Sequence, residues 1–182
     1  MRVAEKKIVL KEGTECLLRS PEEEDAPAAL KFFLTVTEES PYLLAETKEC
    51  TVEKERTILR RQIEDENGAM IAAFLRGDGE IAGLVSVRRV SASEKLRHRA
   101  ELGISVVGKW QGKGLGSALL SAAEEWAKKE ALKQLELSVF SENRRALSLY
   151  EKFGYEIWGA RKNAFRFPDG RYNDEVIMGK FL

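Results

Sequence analysis

The stretch from Glu101 to Ala127 most constrains the fold, because its apolar period changes partway along. In "AELGISVV", Leu102, Ile104 and Val106 alternate with Glu101, Gly103 and Ser105, the two-residue period of a half-buried strand. From Leu115 onward, Leu115, Ala118, Leu119, Ala122, Ala123 and Trp126 recur at helical spacing and predict a helix of about four turns. Between them lies "GKWQGKGLG", with glycines at 108, 112, 114 and 116. A strand feeding a helix through so permissive a backbone belongs to a chain that mixes strands and helices in one unit.

The other segments agree. "ECLLRS" reads as a short strand, and "SPEEEDAPAALKFFL" opens a helix with Ser20 as N-cap, Pro21 in the first turn and Glu23 completing a capping box. Thr51 caps a second helix, "VEKERTILRRQIEDE", which stops at Asn67-Gly68. "AMIAAFLR" and "EIAGLVSVRRV", joined by Gly77-Asp78-Gly79, predict a hairpin. "LELSVF" is a strand, and "NRRALSLYEKF" a helix with Ala146, Leu149, Tyr150 and Phe153 on one side and Gly154 at its end. Tyr155 to Leu182 closes the chain as a strand pair. The expected class is α+β: a mixed, mostly antiparallel sheet of about seven strands flanked by about four helices, not a regular βαβ array. With 182 residues, four scattered prolines and no internal repeat, one domain over 1–182 is expected, residues 1–12 forming a loosely ordered extension.

Charge narrows the partners. Thirty basic residues balance thirty acidic ones, so no net field draws the chain to nucleic acid or membrane. Cys16 and Cys50 have no metal or redox spacing and share the chain with a single histidine, so no metal is expected. The apolar run near the N-terminus is too short for a signal-peptide core and no window approaches a membrane span, so the expected compartment is the cytoplasm.

The glycine spacing excludes two nucleotide motifs. Gly112, Gly114 and Gly116 give G-x-G-x-G, not the dinucleotide G-x-G-x-x-G. A Walker loop needs one more residue between Gly108 and Gly112-Lys113, then Ser or Thr where Gly114 stands. One reading left is a tight turn that needs positive φ. The other is an anion cradle, in which successive N–H groups converge at a helix N-terminus with Gln111 and Lys113 as rim donors.

Gln111-x-x-Gly114-x-Gly116, after a strand and before a helix, resembles the pyrophosphate loop of the GNAT N-acetyltransferase superfamily. About thirty residues on, "NRRALSLYEKFGY" resembles that family's next signature through Asn143, Ala146, Leu149, Tyr150, Gly154 and Tyr155. The closing "YNDEVIM" is similar to the end strand of bacterial members that act on ribosomal proteins or free amino acids. The resemblance implies a sheet splayed between strands four and five, Glu101–Val107 and Leu135–Phe140, with acetyl-CoA lying between them. It implies cofactor contacts from Gln111, Gly112, Lys113, Gly114, Leu115, Gly116 and Ser117, from the backbone of Val106 and Val107, and from Asn143, which also suits an N-cap.

The implied reaction is direct transfer of acetyl to a primary amine of a small molecule, an amino acid or a protein N-terminus. Tyr150 would protonate the departing sulfur, against the alternative that it only fills an apolar face. Glu101 would deprotonate the amine directly or through water, against the alternative of a solvent-facing strand carboxylate. The competing function is a module that binds the acyl thioester without turnover. A homodimer is among the assembly states open to the chain. Glu38, Glu39 and Glu46 are candidates to attract a cationic amine, and Arg144 and Arg145 to meet the cofactor's outlying phosphate; in each case solvated charge is the simpler reading. Trp110 reads as core, and His98, in the basic run before the strand, as surface.

Overall fold

A computed structural model describes residues 1–44 and 49–182. The elements run β1 (Lys6–Val9), β2 (Glu15–Arg19), α1 (Ala26–Glu39), α2 (Val52–Glu64), β3 (Gly68–Leu75), β4 (Ile81–Arg89), β5 (Arg99–Val106), α3 (Leu115–Lys129), β6 (Gln134–Phe140), α4 (Arg144–Lys152), β7 (Glu156–Arg166) and β8 (Tyr172–Phe181). They form one sheet of eight strands in the order β1-β2-β3-β4-β5-β6-β8-β7. Every pairing is antiparallel except β5 with β6. Among the described residues no helix is long and apolar enough to cross a membrane.

The sheet has one strand more than the expected seven or so. Within residues 1–12, read from sequence as a loose extension, Lys6–Val9 pair with Glu15–Leu18 of β2. A four-residue edge strand with two lysines and mostly exposed side chains carries no alternation to read.

β3 is apolar at nearly every position because both of its faces are covered. Ala69, Ile71, Ala73 and Leu75 join the core beneath α3, while Ala72 and Phe74 join a smaller core beneath α1 and α2. α3 lies so close on β4 that a Cβ at Gly83 would stand 2.9 Å from Cδ1 of Leu119. Leu115, Leu119, Leu120 and Ala123 are fully buried there. Leu119→Ala should therefore cost about 2–5 kcal/mol of stability, read as a lower urea midpoint with little change in slope.

The start of α1 corrects the sequence reading. The helix begins at Ala26, not just after Ser20, and Pro27 occupies its first turn. Asp25 is held by Arg19 at 2.6 and 2.8 Å and accepts the Glu22 N–H at 2.7 Å, so chain reversal happens in a separate short turn, Glu23–Asp25. Ser20 Oγ instead accepts the Val3 N–H at 3.0 Å, and Glu23 pairs with Arg60 of α2 at 2.7 Å. Thr51 caps α2 as expected, accepting the Lys54 N–H at 3.2 Å.

β5 and β6 pair only from Arg99 to Glu101 against Gln134 to Glu136, then separate. The Arg99–Glu136 ion pair, 2.6 Å at Nη2, closes the narrow end of this wedge.

Candidate active site

A cavity of about 450 Å³ opens in the wedge, walled by β5, the glycine loop, the start of α3, one side of α4 and the end of α1. Gly112 and Gly114 take φ of 79° and 94°, the left-handed region that side chains resist. With the backbone so turned, the N–H groups of residues 112 to 117 have no acceptor among the described residues, neither a carbonyl nor a side chain. Three of them belong to the first turn of α3, where the helix dipole is positive.

Three hydrogen bonds fix this cradle. The Gly108 N–H donates to Glu39 Oε2 at 2.7 Å, Gln111 Nε2 donates to the Val106 carbonyl at 2.9 Å, and the Lys11 N–H donates to the Lys113 carbonyl at 3.2 Å. Glu39 thus fastens the loop to α1 while lining the cavity. Of the other two acids considered for attracting an amine, Glu46 lies outside the described residues and Glu38 does not line the cavity.

The strand edge follows from register. Val107 N–H bonds Ala82 O at 3.0 Å and Val90 N–H bonds Arg99 O at 3.1 Å, so the odd-numbered residues of β5 direct their backbone groups to β4. Leu102, Ile104 and Val106 direct theirs toward β6, which has already turned away. The open edge therefore belongs to Ile104 and Val106 rather than Val106 and Val107. Val107 is spent on β4, and its side chain is buried under α1.

Of the other residues expected from sequence, Gln111, Gly112, Gly114, Gly116, Ser117 and Asn143 line the cavity. The Leu115 side chain is buried and anchors the helix while its N–H stays in the free run. Lys113 does not line the cavity: it pairs with Glu12 at 2.6 Å and lies 4.8 Å from the Trp110 ring centroid. Trp110 packs against both cores, in keeping with its reading as core. Asn143 Oδ1 caps α4 by accepting the Ala146 N–H at 3.2 Å, which leaves its amide nitrogen as a donor without a partner among the described residues.

α4 divides its apolar residues differently from the expected single side. Leu147 and Tyr150 point into the core, while Ala146 and Leu149 face the cavity. Tyr150 is 5% exposed, its ring centroid 5.9 Å from that of Tyr155. Burial pushes its phenol up to about 12, so it is a neutral O–H donor at physiological pH. Its hydroxyl makes no hydrogen bond to any described residue. Glu101 is exposed on β5 opposite Arg88 and does not line the cavity.

Sequence reasoning missed Ile104, Lys11, Lys152 and an aromatic wall. Tyr42, at the cavity, lies 5.4 Å from Phe140, which stacks on Phe165 at 3.7 Å. Strand alternation carried a signal for Ile104. None existed for Lys11, whose approach to the loop joins residues about a hundred positions apart.

The cradle, the open strand edge and α4 surround one cavity, an arrangement that suits a long ligand with an anionic head. Residues 31–155 match the Acetyltransferase (GNAT) family, and the chain belongs to that family. It is 30% identical over 107 residues to L-amino acid N-acetyltransferase AaaT of Escherichia coli (strain K12), a match covering 57% of this chain and 63% of that protein. The chain thus spans less than two thirds of that relative. The fold is that of an acetyltransferase of the GNAT family from Streptococcus pneumoniae, at 30% identity and a TM-score of 0.83 over 92% of this chain and 99% of that one. Ribosomal-protein-alanine N-acetyltransferase from Brucella melitensis is similar at 25% identity and a TM-score of 0.78, over 91% and 99%.

Proposed function

We propose that the chain is an acetyl-CoA-dependent N-acetyltransferase that moves acetyl directly to a primary amine. The observation that carries this reading is the run of unpartnered N–H groups from 112 to 117 at one end of a cavity whose other wall is an open strand edge. The residues fit the cofactor: successive donors at a helix start suit a pyrophosphate, and the Ile104 and Val106 backbone suits the amides of a pantetheine arm.

Acetyl-CoA supplies an acetyl group activated as a thioester. Gly112, Gly114, Gly116 and Ser117 hold the diphosphate through their N–H groups, and Leu115 and Lys113 contribute only backbone. Val106 presents its N–H, since Gln111 occupies its carbonyl, and Ile104 presents both backbone groups. The Asn143 amide nitrogen orients the arm from α4. Tyr150 holds the proton that the departing sulfur takes up. Glu101 serves as base through water, because its carboxylate stands outside the cavity.

The acceptor enters between the end of α1 and the strand pair β7 and β8. There the Tyr42, Phe140 and Phe165 rings favour an amine carried on an apolar or aromatic body. Incubation with acetyl-CoA and a panel of aromatic and aliphatic L-amino acids, spermidine and a peptide with an N-terminal alanine should release free thiol with at least one acceptor. Thiol release no faster than hydrolysis with every acceptor would overturn the proposal.

A further inference from the structure

We infer that Lys11, Arg145 and Lys152 form a cationic clamp that selects the 3′-phosphorylated form of coenzyme A over its dephosphorylated form. The inference rests on the acetyl-CoA reading above and goes beyond it by assigning three side chains to one group of the cofactor.

Among the described residues these three are the basic side chains that line the cavity, and none of them forms an ion pair there. The other two lysines of the loop both have carboxylate partners, Lys109 at 3.4 Å from Glu80, which it shares with Lys31, and Lys113 at 2.6 Å from Glu12. The one carboxylate among the described residues that lines the cavity, Glu39, is committed to the Gly108 N–H. Three cations around one cavity, with no ion-pair partner among the described residues, repel one another and favour entry of an anion.

Their placement sets them around the rim of the diphosphate cradle. Arg145 and Lys152 stand seven residues apart on α4, with Ser148 between them, so they share one stripe of that helix. Contact between Leu149 and Gly116, where a Cβ would stand 3.2 Å from Leu149 Cδ2, sets that stripe beside the start of α3. Lys11 comes from the β1–β2 turn, its Cγ 3.8 Å from the Cβ position of Gly114. Backbone N–H groups already serve the diphosphate. The cations flank them on two sides, where a further phosphate dianion would lie.

Isothermal titration of coenzyme A and dephospho-coenzyme A, which differ only in that phosphate, tests the clamp. The wild-type chain should bind coenzyme A about tenfold or more tightly. Lys11→Met, Arg145→Met and Lys152→Met should each shrink that preference by roughly threefold, as expected for exposed charge pairs, and the triple variant should abolish it. Thermal unfolding without ligand checks that each variant is folded. Equal binding of the two compounds by the wild type, unchanged binding in the variants, or equal loss for both compounds would each overturn the clamp while leaving the acetyl-CoA reading intact. Failure to bind either compound would overturn that reading and the clamp with it.

Discussion

Tyr150→Phe will lower kcat by about a hundredfold to ten-thousandfold, with coenzyme A affinity changed less than about threefold. The variant removes one hydroxyl, and that hydroxyl bonds to nothing in the described structure, so packing and stability change little. On the proposed reading, what disappears is a proton for the leaving thiolate. Rapid-quench measurement of a single turnover separates this loss from slow product release. Undiminished turnover would reduce Tyr150 to a core residue.

The raised phenol also sets a pH dependence with a definite sign. An unfolded tyrosine ionises near pH 10, whereas burial pushes this one up to about 12. Its contribution to stability is therefore complete below about pH 10 and is lost as pH rises toward 12. Tyr150→Phe should flatten that alkaline limb in denaturant titrations. Tyr155, whose phenol burial also raises, will retain part of it.

Gly114→Val is expected to weaken coenzyme A binding by about a hundredfold or more. Space does not forbid the side chain, since the nearest atom to a Cβ there is Lys11 Cγ at 3.8 Å. Conformation does. A φ of 94° lies where a β-branched residue is strongly disfavoured, and relief of that strain would rotate the N–H groups on either side out of convergence. The folding cost should stay at about 1–3 kcal/mol, because strain at one half-buried loop residue leaves the α3 core untouched. Calorimetry and ligand-free thermal unfolding separate the two effects. Wild-type affinity in Gly114→Val would show that the cradle is not the anion site.

The sequence made the central elements legible because their periods are clean. The hairpin at Gly77 to Gly79, the strand before the glycines and the helix from Leu115 each have one dominant period and a clear stop. α1 was displaced because several acids and two prolines offered more than one start, and the choice depended on Arg19 reaching Asp25. The site divided in the same way. Gly112, Gly114, Gly116 and Asn143 are local signals, and they line the cavity. Which backbone groups β5 leaves open depends on its register with β4, and Lys11 depends on chain reversal far from the loop. Neither is written in a window of sequence.

The Gln111 side chain that closes on the Val106 carbonyl gives the site a fixed length scale. One polar tether ties the glycine loop to the open strand, and so couples the position of one to the other. On the proposed reading, the chain measures its cofactor as a gauge measures a rod. With the head seated, a thioester on an arm one carbon shorter or longer would place its carbonyl out of step with Tyr150, however well the phosphates bind.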